Sequence, residues 1–225
     1  TRVRSSAASD VYKRQGINHG TITANIGQKN FEITSLREDV DTDGRHAKVK
    51  YTTDWLKDSS RRDFTINSIY ADKDGNLFDP NGGVKHLEEG RVIFIGNADK
   101  RIQEDYLRIL RYIRFFINYS NHPHNSSVKK SIKQNIAGIA NLSKERLMSE
   151  LKKTILSKNF LQLSKDSFSL EILKTIFPQL VNLNKLEKIN EYSKKILNKK
   201  TFIFLISYLI IDETDNANYF LFKYN

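Results

Sequence analysis

The chain has 225 residues, 39% apolar and 11% aromatic, enough to bury a core in one large domain or two small ones. It contains no cysteine, which excludes disulfides and thiolate-bound zinc, and a polyanionic partner such as RNA would explain its net charge of +11. The most apolar run, Thr201 to Ile211 (TFIFLISYLII), is about half the ~20 residues that span a bilayer and is read as a buried helix, with no membrane role.

Residues 1–15 (TRVRSSAASDVYKRQ) show no periodicity. They resemble translated sequencing-adapter sequence and are read as a non-native segment, so the native reading starts near Gly16, in mid-gene. His19 to Ile26 and Asn30 to Leu36 alternate and are β-branched around Gly27-Gln28, which predicts a hairpin. Arg37 to Ser60 is polar and reads as a flexible loop. Arg61 to Tyr70 reads as a short helix, followed by turns at Asp74-Gly75 and Asp79-Pro80. A helix is predicted after Gly82-Gly83, then a short strand over Val92 to Ile95. From Ala98 the pattern is helical to the end, with breaks near Asn121–Ser127, Ser157–Asn159 and Pro178. The charge shifts along the chain. Residues 1–120 hold 20 basic and 17 acidic side chains and residues 121–225 hold 17 and 9, a lysine-rich half that suits RNA or reflects a lysine-rich composition throughout.

The stretch Arg101 to Phe115 (RIQEDYLRILRYIRF) reads as one amphipathic helix. On a wheel of about 100° per residue, Tyr106, Ile109, Leu110, Ile113, Phe116 and Ile117 share the buried arc. Asp105, Arg108, Arg111 and Arg114 wind over the polar side, and Asp105 and Arg108, three apart, are placed to pair. A carboxylate beside a planar guanidinium matches a base edge that sets an exocyclic amino group next to a ring-nitrogen acceptor. Cytosine and adenine present that edge; uracil and guanine do not. The alternative is a solvated charged face.

The order of RRDFTINSIY (Arg61–Tyr70), LFDPNGGVKHLEEGRVIFIG (Leu77–Gly96), the arginine stretch and SKERLMSEL (Ser143–Leu151) carries a resemblance. Together with HGTITANIGQKNFEITSLR and DGRHAKVKYTTDW, it resembles the class II tRNA nucleotidyltransferases, the CCA-adding enzymes, and their bacterial poly(A) polymerase relatives, from about Gly16 to Leu156. The resemblance implies that Arg62 contacts the triphosphate and Asp63 the ribose hydroxyl. It implies that Asp105 and Arg108 select CTP or ATP, that Arg111 and Arg114 contact the nucleotide, and that Glu104 orients the selecting pair. Asn67 is expected to hold structure, and Asp79, Gly82 and Gly83 to form a turn. Residues 39–58 match a segment that moves between C and A addition.

The chemistry implied is attack of a tRNA 3′-hydroxyl on the α-phosphate of CTP or ATP, with release of pyrophosphate and with Mg2+ as cofactor. The family's Asp-x-Asp metal pair, which follows a Gly-Gly turn, has no counterpart from Gly16 onward, so no metal ligand is assigned and the chain by itself is expected to be inactive. Glu32 is the candidate third carboxylate, with an exposed strand acid as the alternative. Asp39, Asp41, Asp43 and Gly44 open like a calcium loop, but its twelfth position is Lys50 where a Glu is needed. His122 and His124 are read as a loop pair without further ligands.

The expected fold is α+β. A partial nucleotidyltransferase head at 16–97 precedes an all-α neck at 98–160 and the start of a tRNA-binding body at 161–225. The expected function is that of a fragment of a cytoplasmic tRNA nucleotidyltransferase. A poly(A) polymerase and a noncatalytic RNA-binding helical protein are the alternatives.

Overall fold

The computed structural model describes residues 21–26, 29–42, 47–197 and 199–224. The fold is α+β, with small antiparallel strand pairs followed by helices. It divides into two compact units, residues 1–61 and 62–225. Residues 1–15, and with them the non-native reading, lie outside the described residues.

In the first unit, β1 (Thr21–Ile26) pairs with β2 (Lys29–Thr34) as an antiparallel hairpin, with Thr23 opposite Glu32. The polar stretch read as a loop is a second hairpin, β3 (Arg37–Thr42) with β4 (Ala47–Tyr51), followed by α1 (Trp55–Ser60). A two-stranded ribbon need not bury a face, so this one lacks the apolar alternation that marks a sheet strand. Asp54 caps α1 by accepting from the Leu56 amide at 2.8 Å. Asp58 of α1 is fully buried, accepting from the Arg37 amide at 3.1 Å and from Arg61 Nε at 2.9 Å.

In the second unit, the residues after Arg61 form only one 3-10 turn, Thr65–Asn67, because Phe64 is extended and bridges Phe94 in an isolated antiparallel pair. That bridge, flanked by Thr65 N to Ile93 O and Ile95 N to Asp63 O, both at 3.0 Å, stands where the sequence predicts a strand over 92–95. The two-residue strands β5 (Tyr70–Ala71) and β6 (Leu77–Phe78) close a turn, and α2 (Gly83–Glu88) follows. Asp79 holds the start of α2, accepting from the Gly83 amide at 2.7 Å and the Val84 amide at 2.9 Å. Gly82 sits at φ +67°, and a Cβ on Gly83 would fall 2.2 Å from the Thr65 carbonyl oxygen. One glycine permits the turn and the other the close approach.

Helices fill the rest: α3 (Ala98–Glu104), α4 (Arg108–Tyr119), α5 (Ser126–Asn135), α6 (Lys144–Ile155), α7 (Ser167–Ile176), α8 (Glu191–Leu197), α9 (Phe202–Ile210) and α10 (Asn216–Tyr224). Three 3-10 segments, Ile136–Asn141, Phe160–Lys165 and Leu183–Lys188, join them. The expected single helix over 101–115 is two helices broken at 105–107. Asp105 is extended, with φ −157° and ψ 104°, and its carboxylate accepts from the Leu107 amide at 3.1 Å. A local side-chain bond of this kind competes with the helical ladder and starts α4 afresh.

The buried face of α4 is Ile109, Leu110, Tyr112, Ile113 and Ile117, with Tyr106 and Phe116 only partly covered. Tyr112 joins this face because aromatic residues from elsewhere cover it. Phe94 stacks on it at 5.6 Å, and Phe64 lies 4.7 Å from Phe94 and 5.1 Å from Phe115. Phe64 thus fastens the Arg62–Asp63 segment to the arginine helix, and a buried Phe contributes about 1.5–3 kcal/mol by transfer. His124 links α4 to α7: its Nδ1 lies 3.0 Å from Tyr112 Oη and its Nε2 2.7 Å from Asp166, the cap of α7. Thr201–Ile211 contains α9, which buries Leu205, Ile206, Leu209 and Ile210 but exposes Ile203 and Phe204. Among the described residues, no helix is long and apolar enough to cross a membrane.

Candidate nucleotide-selecting site

Asp63 is 5% exposed, and three donors reach its carboxylate, two at Oδ1 and one at Oδ2. Its Oδ1 accepts from the Phe64 amide at 3.0 Å and from Asn67 Nδ2 at 2.9 Å, and its Oδ2 from Arg111 Nε at 2.5 Å. Burial pushes the Asp63 carboxyl up, but the Arg111 charge and these hydrogen bonds outweigh it and hold the group below the usual carboxylate range. Burial likewise pulls the Arg111 guanidinium down, and Asp63 carries it above its ordinary value. The structure thus brings together two segments 48 residues apart in sequence through one charge-assisted bond.

The break between α3 and α4 separates the pair expected to stand side by side. Asp105 is held on one side, its Oδ2 accepting from Arg146 Nη2 of α6 at 2.7 Å. Arg108 turns the other way, donating through Nη1 to Glu104 Oε2 at 2.5 Å and to the Arg101 carbonyl at 2.7 Å. Glu104 also accepts from Arg101 Nη1 at 2.6 Å. Arg101 donates through Nη2 to the Arg62 carbonyl, so the backbone of the first segment is tied to α3 as well. Burial, and repulsion from Arg108 after it, lower the Arg101 guanidinium.

Arg114 is anchored by Glu150, a 2% exposed acid on α6, through Nε at 2.5 Å. Its guanidinium lies 4.8 Å from the Phe115 ring centroid, and that of Arg111 at 5.7 Å. Both arginines are fixed through Nε. Among the described residues, their terminal nitrogens make no hydrogen bond, a geometry in which each guanidinium could donate to an oxyanion. The Arg62 guanidinium stands 5.8 Å from the Tyr70 ring centroid.

Glu32 is exposed on β2, in the other compact unit. Asp43 lies outside the described residues. Among the described residues, no group of three or more His, Cys, Asp or Glu comes together to hold a metal ion. The acids of the site are each taken by arginine or backbone amides, a donor set that does not fit Mg2+.

Three partners escaped sequence reasoning: Arg146, Glu150 and Arg101. Arg146 and Glu150 lie in SKERLMSEL, four apart and so on one face of a helix. That spacing was the available signal, but which distant charge they meet is decided by packing.

Residues 2–93 match the family described as "Poly A polymerase head domain", a range that includes residues 2–15, and residues 125–183 match "Probable RNA and SrmB- binding site of polymerase A". The mitochondrial CCA tRNA nucleotidyltransferase 1 of Homo sapiens is 43% identical over 189 residues, covering 83% of this chain and 44% of its own length. The CCA-adding enzyme of Staphylococcus haemolyticus is 36% identical over 149 residues, covering 65% and 37%. This chain therefore spans less than half the length of these curated relatives. Among solved structures, the Bacillus stearothermophilus CCA-adding enzyme in complex with CTP aligns with TM-score 0.61 and 22% identity, over 88% of this chain and 54% of that one. The Thermotoga maritima CCA-adding enzyme complexed with tRNA aligns with TM-score 0.62 and 20% identity, over 96% and 51%.

Proposed function

We propose, from the premise that this chain belongs to the family of poly(A) polymerases and tRNA nucleotidyltransferases, that it carries the nucleotide-selecting part of an enzyme adding C and A to tRNA 3′ ends. The reaction takes CTP and ATP, uses no nucleic-acid template and releases pyrophosphate. The observation that supports this best is the Asp63–Arg111 bond, which sets an acid suited to a ribose hydroxyl beside arginine forks suited to a triphosphate. In this reading Arg62, Arg111 and Arg114 take phosphate oxygens and Asp63 takes the ribose. Asp105 and Arg108 read the base once they exchange Arg146 and Glu104 for it. Each carboxylate oxygen of Asp105 has one protein donor in the structure and keeps a second lone pair for the base amino group.

Mg2+ is the family's expected metal, and the residues described here do not provide its site. Glu32 stays the proposed third carboxylate. We assign 16–97 to the head, 98–160 to the neck and 161–225 to the body, a functional division distinct from the structural boundary after Arg61. The proposed compartment is the cytoplasm; the human relative is named mitochondrial, so fractionation decides.

Equilibrium dialysis of this chain against labelled CTP, ATP, UTP and GTP tests the proposal. CTP and ATP are expected to bind more tightly than the other two, and Asp105→Ala to erase that preference. Equal retention of all four overturns base selection here. Retention of ATP but not CTP favours a poly(A) polymerase, and RNA binding without any nucleotide preference favours the noncatalytic alternative. The chain alone is expected to incorporate no CMP into tRNA above a no-enzyme blank.

A further inference from the structure

Gly138 lies in the 3-10 segment Ile136–Asn141, and its backbone has no need of glycine, since the positive-φ glycines are 75, 82, 90 and 96. The requirement is space. A Cβ at this position would fall 2.2 Å from Cε1, 2.3 Å from Cδ1 and 2.4 Å from Cζ of Tyr106, so the tyrosine ring fills the volume that any side chain at 138 would need. Tyr106 is the middle residue of the break between α3 and α4. Its neighbours Asp105 and Leu107 open α4, where the Asp105 carbonyl accepts from the Arg108 amide at 3.0 Å and the Tyr106 carbonyl from the Ile109 amide at 3.1 Å. The backbone of residue 106 therefore cannot shift without carrying the carboxylate before it and the guanidinium after it.

The other side of the contact is fixed independently. The 3-10 segment continues from α5, and Asn135, the last residue of that helix, donates through Nδ2 to Asp99 of α3 at 2.7 Å. Gly138 is thus referenced to α3, and Tyr106 is seated against it.

We propose that Gly138 and Tyr106 form a seat that sets the placement of Asp105 relative to Arg108, making both positioning residues for base selection. The inference rests on the nucleotide-selecting reading above. Replacing Gly138 by Ala must drive the ring away from 2.2 Å to the 3.4 Å at which ordinary contact begins, and a misplacement of only about 1 Å already costs up to about 100-fold in rate. Arg111 and Arg114 keep their own anchors, Asp63 and Glu150, so the loss falls on discrimination between bases and not on triphosphate affinity.

The test is a double-mutant cycle on the product of the full reading frame, reading the ratio of kcat/KM for CTP to that for UTP. Gly138→Ala is expected to lower the ratio by roughly 10- to 100-fold, and to have no further effect once Tyr106→Ala has removed the ring. A folded Gly138→Ala protein with an unchanged ratio, or an equal loss in both backgrounds, overturns the seat. Should Gly138→Ala not fold, Tyr106→Ala alone decides: a lowered ratio supports the proposal and an unchanged one overturns it. A wild-type protein that transfers neither CMP nor AMP sinks the functional reading instead. The seat is then judged by amide NMR on the 225-residue chain, where Gly138→Ala is expected to move the resonances of residues 105–108 more than those of 114–117, and equal shifts overturn it.

Discussion

Asp63→Asn tests whether the site is held together by charge. The side chain keeps its shape and its oxygen for the Phe64 amide, but it presents an NH2 group to Arg111 Nε, where a carboxylate oxygen now sits at 2.5 Å. A pair about 4 Å apart at an effective dielectric of 20 interacts by about 4 kcal/mol, and removing one partner of a buried pair costs about 3–5 kcal/mol. The Arg111 side chain is 25% exposed, so water recovers part of that and the expected loss is about 2–3 kcal/mol. For a chain of this size that is a fall in Tm of about 4–12 °C, readable by urea and thermal unfolding. The pH dependence gives an independent check. The folded carboxyl of Asp63 lies below its unfolded value of about 3.9, so its contribution is present above that value and is lost as pH falls through the folded one. Asp63→Asn should therefore be less stable than wild type at pH 7, with the difference shrinking below about pH 4. A variant within about 0.5 kcal/mol of wild type at pH 7, or a gap that does not narrow at all as pH falls below about 4, refutes the charge argument.

Three further outcomes follow from other contacts. Gly83→Ala places a methyl 2.2 Å from the Thr65 carbonyl oxygen and 2.9 Å from Ile69 Cγ1; the expected destabilisation is about 1–3 kcal/mol by urea titration, and a neutral effect contradicts the close approach. Arg146→Ala frees Asp105 at a site where the arginine side chain is 46% exposed, so stability should change by less than about 1 kcal/mol while nucleotide retention in dialysis shifts; a variant that keeps wild-type retention shows that the contact does not restrain Asp105. Tyr112 is buried and faces Asp166 through His124, and burial first, then the Asp166 charge, raises its phenol above the ordinary value. Its contribution is full below the unfolded value of about 10 and is lost as pH rises above it. Tyr112→Phe should then lose less stability than wild type between pH 9 and pH 11 (roughly one unit either side of that value), and identical alkaline slopes in urea would count against a buried neutral phenol.

Much of this protein is local and therefore readable along the chain. The β1–β2 hairpin follows from β-branched alternation, α2 from the Gly82-Gly83 turn before it, and the buried stripe of α4 from its period. Each depends on residues within a turn or two of one another. The Arg-Arg-Asp-Phe segment and the arginine stretch are recognisable as motifs for the same reason. Sequence places Asp105, Arg108, Arg111 and Arg114 on the polar side of a helix, but it draws Asp105 and Arg108 onto one continuous helix. A single carboxylate-to-amide bond at Leu107 is enough to divide that helix.

Packing alone decided the partners. Asp63 meets Arg111 across 48 residues, Arg114 meets Glu150 across 36, and Asp105 meets Arg146 across 41. No period or spacing encodes such pairings. An arginine on a helix face has many acids in reach of the sequence, and which one it binds is set when Phe64, Phe94, Tyr112 and Phe115 close into one aromatic cluster. Tyr106 lies against Gly138, a contact that leaves no mark in the sequence beyond a single glycine. Sequence thus determined which side chains carry charge and which stripe is apolar, because both are properties of neighbours in the chain. The tertiary structure decided which charges neutralise one another and that Asp105 and Arg108 take different partners, because burial makes an unpaired ion too costly and leaves only pairings that the packed core permits.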